Sequence, residues 1–288
     1  MDTFVTETVS ILTNAAMLFV VAAGLTLVFG ALRLINMAHG SLFMVGALTA
    51  ASLAAGLGGA WGFAIAVCAA VAACATLGAG VEIVILRRLH RREPLALLLA
   101  TFALVLVVAD LAQRVWGTSD RTVTTPVAGR FTVGGATVPE YDLVVIGIAA
   151  LVALGLWLLL ARTATGWRVR AAVEDPESLA AAGTNLPLLR TGVFALGAGL
   201  AGLAGAAIAP LESVGPGLDT QIIVAAFIVT VVGGLGSVLG AALGALVIAT
   251  VEGLGTLWVP SYASSAGYLV MIVVLAVRPW GLFGTQER

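Results

Sequence analysis

Lysine is absent from this chain of 288 residues, so all fourteen of its basic side chains are arginine. A phosphate-gripping loop of the Walker A type requires a lysine, and its absence excludes ATP hydrolysis by this chain through such a loop. Histidine and cysteine are nearly as scarce, with two of each. One histidine, His90, sits in a charged stretch and the other, His39, at a break between apolar runs, which leaves no metal-ligand cluster, no nucleophile elbow and no histidine–carboxylate spacing. No catalytic residue and no metal ligand can be named. Charge is also thin, at 10% of residues and a net −1, and no basic domain offers itself to nucleic acid. Cys68 and Cys74 lie six residues apart within one apolar segment, so they face different sides of a helix and read as unpaired core residues.

What the sequence does have is apolar length. Sixty per cent of its residues are hydrophobic, and its runs repeatedly approach the roughly 20 residues that cross a hydrocarbon core as a helix. Nine spans are expected near 9–30, 41–57, 62–86, 94–115, 142–161, 191–209, 221–235, 239–257 and 264–277. The fold class is thus an all-α polytopic transmembrane bundle, a single domain over 1–288 of about eight to ten spans, embedded in membrane lipid. The runs at 41–57 and 221–235 are short and glycine-interrupted, so either is a candidate half-span. The start, MDTFVTETVS, carries two acids and no base, unlike a cleavable signal, and the first span is expected to be retained.

Arginine sets the orientation. With RRLHRRE (87–93) in the cytoplasm, alternation of spans places Arg33, Arg162, Arg168, Arg170, Arg190, Arg278 and Arg288 there as well, leaving only Arg114, Arg121 and Arg130 outside with the acidic N-terminus. The C-terminus is then cytoplasmic. Two hydrophilic segments are long enough to hold structure. The outer one, 116–141, contains FTVGGATV, a hairpin pattern around Gly134 and Gly135, and is expected to cap the pore or meet a soluble partner. The cytoplasmic one, 162–190, contains a two-turn helix: Asp175 as N-cap, Pro176 at the first position, Glu177 in the first turn and Gly183 as the stop. Leu179 and a run of alanines would be exposed on it. Such a helix either docks on another protein or lies at the interface without a partner.

Within the spans, Gly197, Ala201 and Gly205, then Ala198, Gly202 and Ala206, then Gly236, Gly240 and Gly244 repeat at four-residue spacing, the pattern that lets helix backbones approach closely in lipid. Polar residues at bilayer depth are costly, and Asn14, Asn36, His39, Glu82, Asp110, Gln113 and Glu252 are the candidates. Glu82 beside Arg87 and Arg88, and Asp110 beside Gln113 and Arg114, read as interfacial structural groups, whereas Glu252 can line an aqueous path. Between 24 and 48 an apolar helix stops at Gly30, passes through Arg33, Asn36, His39 and Gly40, and resumes with Ser41 as cap. That break is either a cytoplasmic turn or the mouth of a path. A similar arrangement at 226–247, where GGLGS separates two apolar helices, has the look of an internal repeat. The candidate path residues are Asn36, His39, Gly40, Ser41, Gly233, Gly234, Gly236, Ser237 and Glu252.

The stretches GLTLVFGALRLINMAHGSLFMVGAL, GWRVRAAVEDPESLAAAGTN, FALGAGLAGLAGA, AFIVTVVGGLGSVLGAALGAL and RPWGLFG, in that order from about 12 to 284, resemble the permease subunits of branched-chain amino acid ABC transporters. The family's INFAHG-like motif falls on Ile35 to Gly40, with Met37 where phenylalanine is common. The resemblance implies an importer of the bacterial inner membrane: two such permeases, alike or different, two cytoplasmic ATPases that hold the ATP and magnesium, and an extracytoplasmic substrate-binding protein. It also implies that the coupling segment runs from Glu174 to Asn185, including Asp175, Pro176, Glu177, Ser178, Leu179, Ala180, Ala181 and Gly183. This chain itself would hold no cofactor and would move branched-chain or related amino acids by alternating access. A stand-alone secondary transporter or channel for a small polar solute is the alternative.

Overall fold

In a computed structural model, which describes residues 2–90, 92–133 and 136–284, the chain folds as a helical bundle. Its helices are α1 (Asp2–Leu32), α2 (His39–Leu57), α3 (Gly59–Val81), the single turn α4 (Arg87–Leu89), α5 (Pro94–Trp116), α6 (Glu140–Arg162), α7 (Ala164–Glu174), α8 (Pro176–Ala181), α9 (Leu186–Ile208), α10 (Leu218–Gly233), α11 (Val238–Trp258) and α12 (Ala263–Val277). Nine apolar helices stand where the nine runs predict them. Seven are long and apolar enough to cross a membrane, counting α3 with its continuation to Leu89, and two are shorter. Of the two doubtful runs, 41–57 is a helix of 19 residues that qualifies as a span. The other, α10, has 16 residues, about 24 Å of helix against a core of about 30 Å.

An inner group and an outer group separate by burial. In α9 78% of the most apolar window is buried, and in α5 only 11%. Helix α9 sits in the middle because its small-residue stripes let three neighbours approach its backbone. A Cβ at Gly197 would lie 2.9 Å from the carbonyl oxygen of Gly24 on α1, and one at Gly205 would run into that of Phe43 on α2. On the second stripe, Gly202 is covered by Cys74 of α3, a Cβ there meeting the sulfur at 2.8 Å. The third stripe closes α11 on α10, with Gly240 against Gly233 and Gly244 against the Val229 carbonyl. These contacts are how a bundle without a hydrophobic drive between its helices stays together. Cys74 is buried and donates to the Leu42 carbonyl oxygen at 3.2 Å, as a core cysteine does. Cys68 corrects the expectation: it is unpaired but exposed, six residues round the helix from the packed face.

The ends of the bundle differ in charge. One end collects Arg33 after α1, Arg162 closing α6, Arg168 and Arg170 on α7, and Arg190 in the first turns of α9. Arg91 and Arg288 lie outside the described residues. The other end carries the hairpin. Strands β1 (Arg130–Val133) and β2 (Ala136–Pro139) pair antiparallel as the pattern predicts, while Gly134 and Gly135 lie outside the described residues. Arg121 ties this outer segment down: its backbone exchanges two hydrogen bonds with Val214, and its guanidinium donates to Ser52 Oγ and the Trp116 carbonyl oxygen.

Two charged groups within spans are structural, as expected. Glu82 is fully buried where α3 widens into a π-helical turn, Glu82–Leu86, and is held by Arg87 at 3.2 Å and by the Thr191 hydroxyl. Asp110 pairs with Arg114 at 2.8 Å on an exposed face. A short helix with a Trp at position 167, α7, is present where the sequence showed only a hydrophilic stretch; its N-cap Thr163 accepts from the Gly166 N–H.

Candidate functional site

The first break is not a plain turn. Helix α1 ends at Leu32, Arg33 takes a left-handed φ of 50°, and the chain then climbs back into the bundle. His39 marks the climb: its Nε2 lies 3.0 Å from the carbonyl oxygen of Val21. Val21 precedes the end of α1 by eleven residues, so the ring sits roughly 16 Å inside. Asn36 makes a turn ahead of the next helix: its Oδ1 accepts from the Ala38 N–H at 3.1 Å and its carbonyl oxygen from the His39 N–H at 3.3 Å, and Ala38 is the N-cap, without a side-chain bond. The N–H of Met37 reaches Thr101 Oγ1 on α5 at 3.3 Å. Irregular backbone at this depth survives because protein groups satisfy it.

Because α2 begins at His39, Ser41 lies inside the helix and is not its cap, which corrects the sequence reading. Its hydroxyl instead donates to Asp219 Oδ2 at 3.2 Å. Asp219, in the first turn of α10, is almost wholly buried, and its own backbone carbonyl presses on Gly40, where any side chain would collide. The positive end of the α10 dipole favours an acid there. Asn36 Nδ2 and His39 Nδ1 have no hydrogen-bond partner among the described residues. Asn36, His39, Gly40 and Ser41 are all buried, His39 against α1 at Val21 and Gly40 and Ser41 against Asp219 of α10.

The second break is built differently. Gly234 and Gly236 adopt φ of 107° and 88°, Ser237 caps α11 by accepting from the Gly240 N–H at 3.0 Å, and Gly236 packs backbone to backbone on Gly30. The RPWGLFG ending folds over this turn, with Leu282 and Phe283 N–H groups donating to the carbonyl oxygens of Val232 and Gly233 at 2.9 and 3.0 Å. Gly236 borders an open space: a cavity of about 860 Å³ at the arginine end, walled also by Gly30, Arg33, Arg170, Glu174 and Trp280. Glu252 is remote from both breaks. Its Oε2 accepts from Asn14 Nδ2 at 3.3 Å near the acidic end.

The segment 174–185 forms a compact corner at the arginine end. Glu174 closes α7, and Asp175 Oδ1 accepts from the Ser178 N–H at 3.0 Å to start α8 with Pro176 in its first turn. Ser178, through its hydroxyl first and its backbone second, holds the Asp175 carboxyl below the usual range. Gly183, at φ 86°, ends the helix with N–H bonds from Gly183 to Ala180 and from Thr184 to Leu179, the two bonds of a Schellman stop. Asn185 turns the chain into α9 by accepting from the Leu188 N–H at 3.1 Å. Glu177, Ser178, Ala180 and Ala181 are exposed, whereas Leu179 is half-buried against the bundle and so is less exposed than the sequence suggests.

Sequence reasoning missed Asp219 and α7. Asp219 had one signal, an acid two residues after Gly-Pro-Gly (215–217) at the head of an apolar run.

The family model described as branched-chain amino acid transport system, permease component, matches residues 8–277. The high-affinity branched-chain amino acid transport system permease protein BraD of Pseudomonas aeruginosa is 27% identical over 297 residues, covering 99% of this chain and 97% of its own. The corresponding permease protein LivH of Escherichia coli is 25% identical over 280 residues, covering 93% and 91%. A probable LivH permease of Methanocaldococcus jannaschii is 29% identical over 149 residues, about half of each chain. No solved structure matches.

Proposed function

The chain belongs to the permease component family of branched-chain amino acid transport systems, and from that premise we propose that it is one half of the transmembrane pore of an ATP-driven importer. It is a multi-pass membrane protein and a transport permease. The arginine end faces the cytoplasm of a bacterial inner membrane and the acidic end faces outward, in keeping with positive-inside charge. The whole of 1–288 acts as one permease domain, with 162–190 as its coupling segment and 116–141 as its outer loop. It pairs with a second permease, two cytoplasmic ATPases that bind the ATP and magnesium, and an extracytoplasmic protein that delivers a branched-chain or related amino acid.

The observation that carries this reading is α8, a capped helix of six residues presenting Glu177, Ser178, Ala180 and Ala181 to solvent between α7 and α9. Its small exposed face suits a groove on another protein, and its firm ends suit it to pass on a push. Closure of the ATPase pair moves α8 and α7, and α7 bears on α1 and α6. The glycine-lined contacts of α9, α10 and α11 then slide to close one mouth and open the other. In this scheme the buried polar contacts of Asn36, His39, Gly40 and Ser41, the last two against Asp219, are a barrier on the path, and the cavity at Gly236 is the inner mouth. Glu252 belongs to the outer mouth.

The test replaces Ala180 and Ala181 together with aspartate in the complete transporter. Assembly with the ATPases and uptake are both expected to be lost while the permease still folds in the membrane; survival of both would remove the docking assignment.

A further inference from the structure

At the arginine end a groove of about 590 Å³ lies between α6, α7 and α9. Leu159 and Leu160 of α6 face Leu188, Val193 and Leu196 of α9 across it, and Leu27 of α1 also lines it. Leu188 and Leu196 are exposed, so this apolar wall is left uncovered by the rest of the chain. Gly192 keeps the space open: it is exposed on the lining, and a Cβ built there meets nothing within 4 Å. From its first residue, Leu186, to Leu196 α9 rises about 15 Å, half of a hydrocarbon core of about 30 Å. The groove therefore has the length of one leaflet.

Its charge has one sign. Arg168 is the single charged residue on the lining among the described residues, and its guanidinium makes no ion pair or hydrogen bond among them. Two tryptophans mark the level at which it stands. The Arg162 guanidinium lies 5.3 Å from the ring centre of Trp157 on α6, and that of Arg170 lies 4.5 Å from the ring centre of Trp167 on α7. Both rings are exposed, as tryptophan is where hydrocarbon meets headgroups. Helix α7 buries Gly166 and Val169 and exposes Trp167, Arg168 and Arg170, the pattern of a helix lying along that boundary.

We infer that this groove holds an anionic phospholipid, with one acyl chain laid between α6 and α9 across Gly192 and the phosphate on the Arg168 guanidinium. A guanidinium grips a phosphate through two parallel N–H bonds, and no acid on the lining repels it. A free phosphate would engage Arg168 alone, whereas a phospholipid also covers the leucine walls.

The experiment places the full chain in phosphatidylcholine vesicles with a trace of phosphatidylglycerol that carries a photoreactive group on one acyl chain, and locates the crosslinks by mass spectrometry. Crosslinks are expected on both walls, at 159–160 and 188–196, at roughly five times the yield of a phosphatidylcholine probe with the same chain. Arg168→Gln should bring the two probes level. Gly192→Phe, which has open space to fill, should remove the groove crosslinks of both while those on the exposed face of α5 persist. Equal yields from the two probes, groove crosslinks unchanged by Gly192→Phe, displacement of the probe by soluble glycerol 3-phosphate, or loss of the groove crosslinks when the ATPases assemble would each overturn the lipid site. Labelling needs neither ATP nor partners, so its failure leaves the importer reading standing, and failed uptake by the complete transporter leaves the lipid site standing.

Discussion

The two breaks in the bundle, at 33–39 and at Gly233–Ser237, look alike in sequence and are held by different physics. At the first, side chains do the work: Asn36 holds a turn on the Ala38 N–H, His39 anchors on Val21, Thr101 meets the Met37 N–H, and Ser41 meets Asp219. The chain thereby re-enters the bundle and closes it. At the second, the absence of side chains does the work: left-handed glycines turn the chain on the spot, and Gly236 rests on Gly30. A pattern of apolar helix, small polar stretch, apolar helix thus fixes that a break exists and leaves open how its backbone polar groups are satisfied. The first is held by side-chain bonds; the second is a backbone turn with no room for a side chain at Gly236.

That contrast can be broken most forcefully at Gly236. Gly236→Leu combines a φ of 88° with backbone contact on Gly30, and is expected to cost about 3 kcal/mol or more and to abolish uptake; near-normal melting in detergent would dissolve the distinction. Gly40→Val should cost about 1 to 3 kcal/mol, because its side chain would run into the Asp219 carbonyl and Ile223, and the same melting measurement checks it. Ser41→Ala removes the hydroxyl that Asp219 accepts from, for an expected cost of about 1 to 3 kcal/mol, and Asp219→Asn in the same background should recover part of it. Ser237→Ala removes only a cap, with an expected cost of about 1 kcal/mol and uptake retained. A larger loss at Ser237 than at Ser41 would reverse the assignment of the two breaks.

The smallest effect concerns Asp175. Its carboxyl is held below the usual range, so the cap is fully present above the ordinary aspartate range and is lost only as pH falls through the lowered folded value. Amide exchange at α8 should stay slow at mildly acidic pH in the native chain and become faster in Asp175→Ala at every pH.

Much of this was legible in the residues. Apolar length placed the nine helices, small-residue spacing placed the α9 contacts, and Asp-Pro followed by glycine placed α8, because each signal is local. Three things escaped. Helix α7 mixes Arg168 and Arg170 with a buried Val169 and Gly166, so its average polarity hid a helix. Ser41 carried a capping signal, but the helix already begins at His39 after an uncapped Ala38. Asp219 matters only through Ser41, 178 residues away in sequence, and no local pattern reports such a pairing.

The central claim is that energy for transport enters from outside the chain through α8. Reconstitution of the chain into proteoliposomes with its partner permease and the paired ATPases, then again without the ATPases, measures it directly by uptake of labelled L-leucine delivered by the binding protein. The account predicts accumulation only when the ATPases and hydrolysable ATP are both present. Accumulation driven by an ion gradient with the ATPases left out would contradict it.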